Sequence, residues 1–99
     1  FTVPTGQAHW HVLLRARAIE TGCFIVAAAQ AGTHADGRAT YGHSLIINPW
    51  GEILAEACGG DSPDSAPTLI TAEINPNAVA RARHVIPLAR SREMRGLKF

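Results

Sequence analysis

The chain has 99 residues, of which 46% are hydrophobic and 17% are charged, and its formal net charge is +1 with the histidines neutral. This length fits one domain at most, the balanced charge gives no case for a nucleic-acid or charged-membrane surface, and no apolar stretch approaches the roughly 20 residues that span a bilayer. The charged fraction lies below the roughly 25% of an ordinary domain. We therefore expect the chain either to oligomerise or to be part of a larger protein that covers its apolar surface.

The first residue and the two cysteines indicate how the chain was produced and in which redox environment it works. Because the chain starts with Phe1 rather than Met, in a stretch that reads like a loop, we expect a fragment that lacks its N-terminal part, although a processed chain would look the same. Cys23 and Cys58 stand 35 positions apart, without the spacing of a disulfide framework. Reduced thiols in a cytoplasmic protein are the plain interpretation.

Residues 7–21 predict a helix that is buried on more than one side, since its apolar residues form two rows at helical spacing. Thr5 could cap its N-terminus, and Gly22 suits a left-handed stop. The continuous apolar run 23–29 predicts a strand covered on both faces. Residues 30–41, rich in glycine and polar residues, predict a loop.

Residues 43–57 predict a β-hairpin, because two β-prone runs flank the turn sequence Asn-Pro-Trp-Gly at 48–51. Trp50, at the tip, is expected to pack over the sheet edge. Residues 58–66 predict a surface loop and 67–74 a further strand. Asn75 and Pro76 predict the start of a helix over 75–85, and the basic tail from 87 onward is expected to be irregular. The resulting α-β-β-β-β-α order indicates an α/β fold that needs additional covering helices.

Five histidines raise the question of a metal site. His9 and His11 point about 200° apart on a helix, so they cannot share one ion, and no partner stands at zinc-finger spacing. We therefore predict no metal site and no cofactor. A cysteine nucleophile is also disfavoured, because Cys23 begins an apolar strand, where a thiol is normally buried and inert, and Cys58 has no basic neighbour in sequence.

His43 has two interpretations. It precedes a buried strand, beside Tyr41 and Ser44, where a histidine can act as a general base. More often such a residue is structural and ties the loop to the strand by hydrogen bonds. On the first helix, Arg15 and Arg17 with Glu20 are typical of solvated surface pairs.

Several motifs in this order resemble the C-terminal third of the nitrilase superfamily, the carbon–nitrogen hydrolases. They are RARAIET at 15–21, VAAAQ at 26–30, YGHS at 41–44, PWG at 49–51 and TAEINPNAVARAR at 71–83. The resemblance covers nearly the whole chain and is strongest to the Nit-type amidases of that superfamily. It implies that residues 1–99 are the C-terminal portion of an αββα sandwich, which forms dimers in this superfamily.

The resemblance also implies a chemistry. In the superfamily a cysteine thiolate attacks an amide carbon, a glutamate acts as general base and a lysine stabilises the oxyanion. All three precede the region matched here, so no catalytic residue maps onto this chain. A pocket-lining pattern of the Nit-type relatives maps onto Phe1 and Thr5, which implies that they bind a small-molecule amide substrate. The other interpretation of Thr5 is a helix cap alone.

Two departures from the resembling family stand out. His11 replaces an acidic residue that the relatives usually carry, which puts local pairing or interface contacts in doubt. The loop 58–67 is longer than usual, at a place where length costs little. The favoured function is an amidase fragment, and the alternative is a non-catalytic binding or assembly module that retains part of the fold.

Overall fold

The computed structural model describes residues 1–60, 62 and 66–96. Five consecutive strands lie between helical segments at the two ends of the chain, which gives a mixed α/β architecture. In chain order the elements are α1 (Val3–Thr5), a π-helical segment (Gly6–Trp10), α2 (His11–Thr21), β1 (Ile25–Ala27), β2 (Ala31–Thr33), β3 (Ala39–Tyr41), β4 (Leu45–Ile47), β5 (Ile53–Glu56), α3 (Pro76–Val85) and α4 (Leu88–Met94).

The central sheet has three antiparallel strands in the order β1-β4-β5. Its middle strand, β4, is buried along its whole length, as expected of a continuous apolar run that is covered on both faces. Strands β4 and β5 form the predicted hairpin, with a register irregularity between Ile46 and Ile47. The turn is closed by Gly51 at a φ of +87°, and the Asn48 side-chain oxygen accepts hydrogen bonds from the backbone N–H groups of Trp50 and Glu52. Trp50 is 53% exposed.

The first helical segment begins earlier than predicted, at Val3. Thr5 therefore lies inside it, so the prediction that Thr5 caps a helix starting at residue 7 is wrong. The residue at the cap is Thr2, whose carbonyl accepts from the Gly6 N–H at 2.8 Å. The reason is that Pro4 sits in the first turn, where its missing N–H costs nothing. The helix ends as predicted, with Gly22 in the left-handed conformation at a φ of +62°.

The core is small and lies where α2 crosses the central sheet. Its fully buried members are Ala18, Leu45 and Ile47. Partly buried apolar side chains pack against them, namely Trp10, Leu14 and Ile25. One face of α2 thus covers the β1-β4 pair. This packing places the start of α2 beside the end of β5.

Two predictions for the middle of the chain need correction. Residues 30–41 do not form a loop throughout, since β2 and β3 pair as a second antiparallel hairpin. Its tip is held by the hydrogen bond from the His34 N–H to the Arg38 carbonyl, at 2.8 Å. The glycine content correctly predicted the turn at the tip but did not predict the short paired strands beside it.

Residues 67–74 do not form the predicted strand in this structure. Leu69 is 88% exposed and Ile74 is 50% exposed. A strand needs a neighbour for its backbone groups, and no named strand of the described residues pairs with this segment. Farther on, Asn75 caps α3 as predicted, its side-chain oxygen accepting from the Asn77 N–H. The tail expected to be irregular contains α4 instead, because its Leu, Ala, Arg, Glu and Met residues favour a helix.

The second apolar row of α2 and the outer face of β1 are exposed rather than covered. Val12 is 68% exposed and Val26 is 65% exposed, so the expected two-sided burial of these elements is absent among the described residues. Within the described ranges, no helix is both long and apolar enough to cross a membrane. The predicted loop at 58–66 lies partly outside the described residues.

Candidate functional site

Three side chains from different elements converge at one edge of the sheet. His11 stands at the start of α2, His43 in the segment just before β4, and Glu56 at the end of β5. The Glu56 Oε2 atom lies 2.7 Å from His11 Nε2 and 2.7 Å from His43 Nδ1. An ionised carboxylate can only accept, so both imidazoles donate to the same oxygen. We call these three residues the His-Glu-His cluster.

The backbone of His43 adopts an unusual conformation to place its ring. Its φ is +57°, in the left-handed region that is uncommon for a residue other than glycine. The Trp10 indole N–H donates to the His43 carbonyl at 2.8 Å. A Cβ atom at Gly59 would lie 2.0 Å from the His43 ring, so only glycine fits there. Several independent contacts therefore determine the position of this imidazole.

Tyr41 forms an aromatic layer beneath the cluster. Its ring stacks on that of His43, with centroids 4.1 Å apart and planes 26° apart, and meets His11 edge-on at 5.9 Å. Tyr41 is buried, and Gly6 makes room for it, since a Cβ at Gly6 would lie 2.2 Å from the Tyr41 ring. The π-helical segment that contains Gly6 is therefore shaped by its contact with the site.

The electrostatics of the cluster centre on Glu56. Partial burial by itself raises the pKa of this carboxyl, but the hydrogen bonds from His11 and then His43 outweigh it, so the pKa of Glu56 is lowered from its ordinary value. The carboxylate is thus ionised at neutral pH and holds both imidazole N–H groups. Such an arrangement can fix the orientation of the two rings, relay a proton, or present ligand atoms to a cation.

The contacts of His43 favour the structural alternative over the general base. Its Nδ1 is hydrogen-bonded to Glu56, its ring stacks on Tyr41, and its carbonyl accepts a hydrogen bond from the Trp10 indole N–H. The neighbouring Ser44 hydroxyl donates to the Ala29 carbonyl and accepts from the Ala29 N–H. The segment before β4 is thereby tied to the end of β1, as a structural role requires.

The predicted substrate-binding residues, Phe1 and Thr5, lie at the N-terminal end of the helical segment. The Phe1 ring is 53% exposed and packs on Trp10 at a centroid distance of 5.1 Å. The Thr5 hydroxyl lies 2.8 Å from that of Thr2 and donates to the Thr2 carbonyl at 3.2 Å. Trp10 links this end to the His-Glu-His cluster, because it contacts both Phe1 and the His43 carbonyl.

Neither cysteine belongs to the His-Glu-His cluster. Cys23 is only partly buried, contrary to the expectation for a strand thiol, and the Arg83 guanidinium lies 3.1 Å from its Sγ. The α3 helix supplies this neighbour, which the sequence around Cys23 did not reveal. Cys58 is exposed. Both are free thiols.

The cluster joins His11 and His43, which lie in separate sequence motifs, and includes Glu56, which no sequence motif indicates. A signal was available in the hairpin: with the turn at 48–51, the strand before it must bring its first residues beside the last residues of the strand after it. The structure pairs Leu45 with Glu56, which places His43 near the same strand end. The contribution of His11 depends on how α2 crosses the sheet, which no local pattern encodes.

Comparisons with known proteins agree with this architecture. The sequence profile of the carbon-nitrogen hydrolase family matches residues 1–84. The chain is 46% identical over 94 residues to a Schizosaccharomyces pombe protein named "Probable hydrolase nit2", covering 95% of this chain and 33% of that protein. It is 48% identical over 88 residues to the deaminated glutathione amidase of Homo sapiens, covering 89% of this chain and 25% of that protein.

A solved structure gives the same result for the fold. The C. elegans NitFhit protein superimposes with a TM-score of 0.75 at 41% sequence identity, covering 91% of this chain and 20% of that one. The chain spans about a quarter to a third of the length of the two curated relatives named above. The family profile extends over most of the chain, and these relatives are Nit-type hydrolases. The chain therefore belongs to the carbon-nitrogen hydrolase family and is similar to Nit-type members of the nitrilase superfamily.

Proposed function

We propose that the protein carrying this chain hydrolyses a linear amide of a small carboxylic acid to the acid and ammonia. The observation that carries the proposal is the family match over residues 1–84 together with relatives named as amidases. Residues 1–99 would then be the C-terminal part of the catalytic domain. We further propose a cytoplasmic protein with reduced thiols, consistent with the free cysteines, that works as a homo-oligomer without a catalytic cofactor.

The proposed chemistry proceeds by covalent catalysis. A cysteine thiolate attacks the amide carbon, a lysine stabilises the oxyanion, and a glutamate moves the protons, so that ammonia leaves and a thioester remains. Water then releases the acid. We place the Glu-Lys-Cys triad outside these 99 residues. In support, the Cys23 Sγ contacts the Arg83 guanidinium and the Thr21 carbonyl, and the one lysine of the chain is Lys98.

The role proposed for this chain is to form part of the substrate pocket, with Phe1 and Thr5 lining it. An exposed aromatic ring held against Trp10 gives an apolar wall. The exposed Thr5 hydroxyl can turn its proton from the Thr2 carbonyl to a substrate oxygen, near the start of a helix, where backbone N–H groups also favour a negatively charged group. This combination suits a small acyl group that carries a carboxylate.

The test is steady-state kinetics of the intact protein with glutaramate-type amides, measured by ammonia release. Thr5→Val should raise KM for a carboxylate-bearing amide about tenfold or more, since a hydrogen bond to a charged group is worth about 1.5–3 kcal/mol. Thr5→Ser keeps the hydroxyl and is the matched control, expected to stay within about twofold. Equal KM values for the Val and Ser variants would remove Thr5 from the pocket.

The alternative function is a non-catalytic binding or assembly module. The coding sequence upstream of Phe1 distinguishes the two functions. A Glu, a Lys and a Cys in family contexts there would support the amidase. A true start codon near Phe1 supports the module. Absence of ammonia release from the intact protein across a panel of small amides would favour the module over the enzyme.

A further inference from the structure

We propose that the His-Glu-His cluster is a binding site for a divalent transition-metal ion of the zinc class. It involves residues distinct from Phe1 and Thr5 and does not depend on the amidase proposal. The cluster offers one ligand atom from each of His11, His43 and Glu56, and these atoms all lie within 4.8 Å of one another. This proposal revises the expectation of no metal site, which compared only histidines that are neighbours in sequence.

The geometry requires small side-chain movements that open the two carboxylate-to-imidazole distances and bring the imidazole nitrogens, which lie within 4.8 Å of each other, to a common ion. Zinc bonds of about 2.0–2.1 Å in a tetrahedral site place the ligand atoms about 3.3 Å apart. The two carboxylate-to-imidazole distances are 2.7 Å here. An ion binds each imidazole in its neutral form, with the proton of the ligating nitrogen released to solvent or carried on the other ring nitrogen, and moves the groups apart by about 0.6 Å. Side-chain rotation of His11 and Glu56, which are 27% and 34% exposed, accommodates this.

The chemistry of the ligand set fits the zinc class. Two imidazoles with one carboxylate are a ligand set of mononuclear zinc sites, in which a water takes the fourth position. Imidazole favours Zn, Cu, Fe and Ni over Ca and Mg. One Glu56 carboxylate oxygen accepts hydrogen bonds from both imidazoles, so the oxygen ligand already faces the two candidate nitrogen ligands.

The site is built on elements that are held in place independently. His43 is fixed by Tyr41 and by the Trp10 hydrogen bond to its carbonyl. Glu56 ends a strand paired with β4, and His11 begins a helix packed on the core. An ion bound here would link α2, the segment before β4 and β5, so binding should stabilise the fold as well as occupy the site.

The experiment uses the intact protein, stripped with EDTA and dialysed, and titrated with Zn²⁺ by calorimetry. Co²⁺ serves as the spectroscopic probe, because a site with imidazole and carboxylate ligands gives visible absorption without the near-ultraviolet band of a thiolate ligand. The variants are His11→Ala and Glu56→Gln. The matched control is His9→Ala, which removes an exposed histidine two residues away that is outside the cluster.

The proposal predicts that each cluster variant loses one equivalent of Zn²⁺, or binds it at least about tenfold more weakly, while His9→Ala binds as the parent does. Zn²⁺ should raise the melting temperature of the parent and of His9→Ala by the same amount, and that of the variants less. Unchanged stoichiometry and affinity in both cluster variants would overturn it. An equal loss in His9→Ala would also overturn it, by showing non-specific binding to surface histidines.

Discussion

His43 is held in the left-handed region at a φ of +57°, and its ring is hydrogen-bonded to Glu56 and stacked on Tyr41. His43→Ala keeps the strained backbone and leaves Glu56 with one donor fewer. We expect the metal-free intact protein to lose about 1 to 3 kcal/mol of unfolding free energy. The rate of acylation in the folded fraction should change less than tenfold, because the proposed base is a glutamate elsewhere.

The control for this substitution is His43→Asn, since Asn tolerates the left-handed conformation better than Ala. It should be less destabilised than His43→Ala, with thermal melting and single-turnover acylation measured on both. If His43 were a general base, acylation would fall by a factor of about 10² to 10⁴. An unchanged melt with acylation a hundredfold slower would therefore contradict the structural role.

Glu56 carries the pH dependence of the site. Its pKa is lowered on folding, so its contribution to stability is present above its ordinary value of 4.5 and is lost as pH falls through the lower, folded-state pKa. His11 and His43 are the groups that face it. The difference in melting temperature between the parent and Glu56→Gln should therefore shrink as pH falls from about 5 to 3.

The control for Glu56 is Glu20→Gln, which removes a carboxylate from an exposed pair with Arg17 on α2. Such surface pairs contribute little to stability, so this variant should stay close to the parent across the same pH range. If the gap between the parent and Glu56→Gln is constant with pH, the hydrogen bonds to the two histidines do not lower the pKa of this group.

For some single residues, the sequence correctly predicted the structural role. Asn75, Gly22 and Gly51 act through local backbone geometry, so residue type and neighbours were sufficient to predict their roles. The His-Glu-His cluster could not be predicted in the same way, because His11 and Glu56 are 45 positions apart. Only the packing of α2 over the sheet brings them together.

The turn between β4 and β5 is the element whose sequence signal is strongest. Gly51 has a φ of +87°, and a Cβ there would lie 2.7 Å from the Ile19 side chain. Gly37 has nearly the same φ, +85°, but no atom of the described residues lies within 4 Å of a Cβ placed there. Both Ala variants carry the cost of a positive φ, about 1 kcal/mol, and Gly51→Ala adds a clash with α2. We expect Gly51→Ala to be clearly the less stable by urea unfolding.

Equal stabilities of these two variants would show that the turn does not pack on α2.

The elements predicted wrongly have a common physical cause. Segment 67–74 has the composition of a strand but pairs with no strand in the described part of the chain, and 30–41 has the composition of a loop but forms β2 and β3. Strand formation depends on partners, whereas the hairpin at 48–51 and the cap at Asn75 are encoded locally.

For the whole molecule, exposed apolar faces determine behaviour in solution. Val12, Val26 and Leu69 are each more than half exposed, on three different segments. Such surface promotes association, so we expect the isolated 99-residue chain to elute as oligomers or aggregates in size-exclusion chromatography. A sharp monomer peak with a cooperative melt would contradict this expectation.

We propose that the intact protein is an amidase whose nucleophile lies outside residues 1–99. The most direct test is peptide-level mass spectrometry of the acyl-enzyme trapped with a glutaramate-type amide, alongside ammonia release by the Cys23→Ala, Cys58→Ala double variant. We predict that the acyl group lies on a cysteine outside this chain and that the double variant keeps its turnover, while the isolated chain has none. An acyl group on Cys23 or Cys58, with turnover abolished in the double variant, would contradict the account.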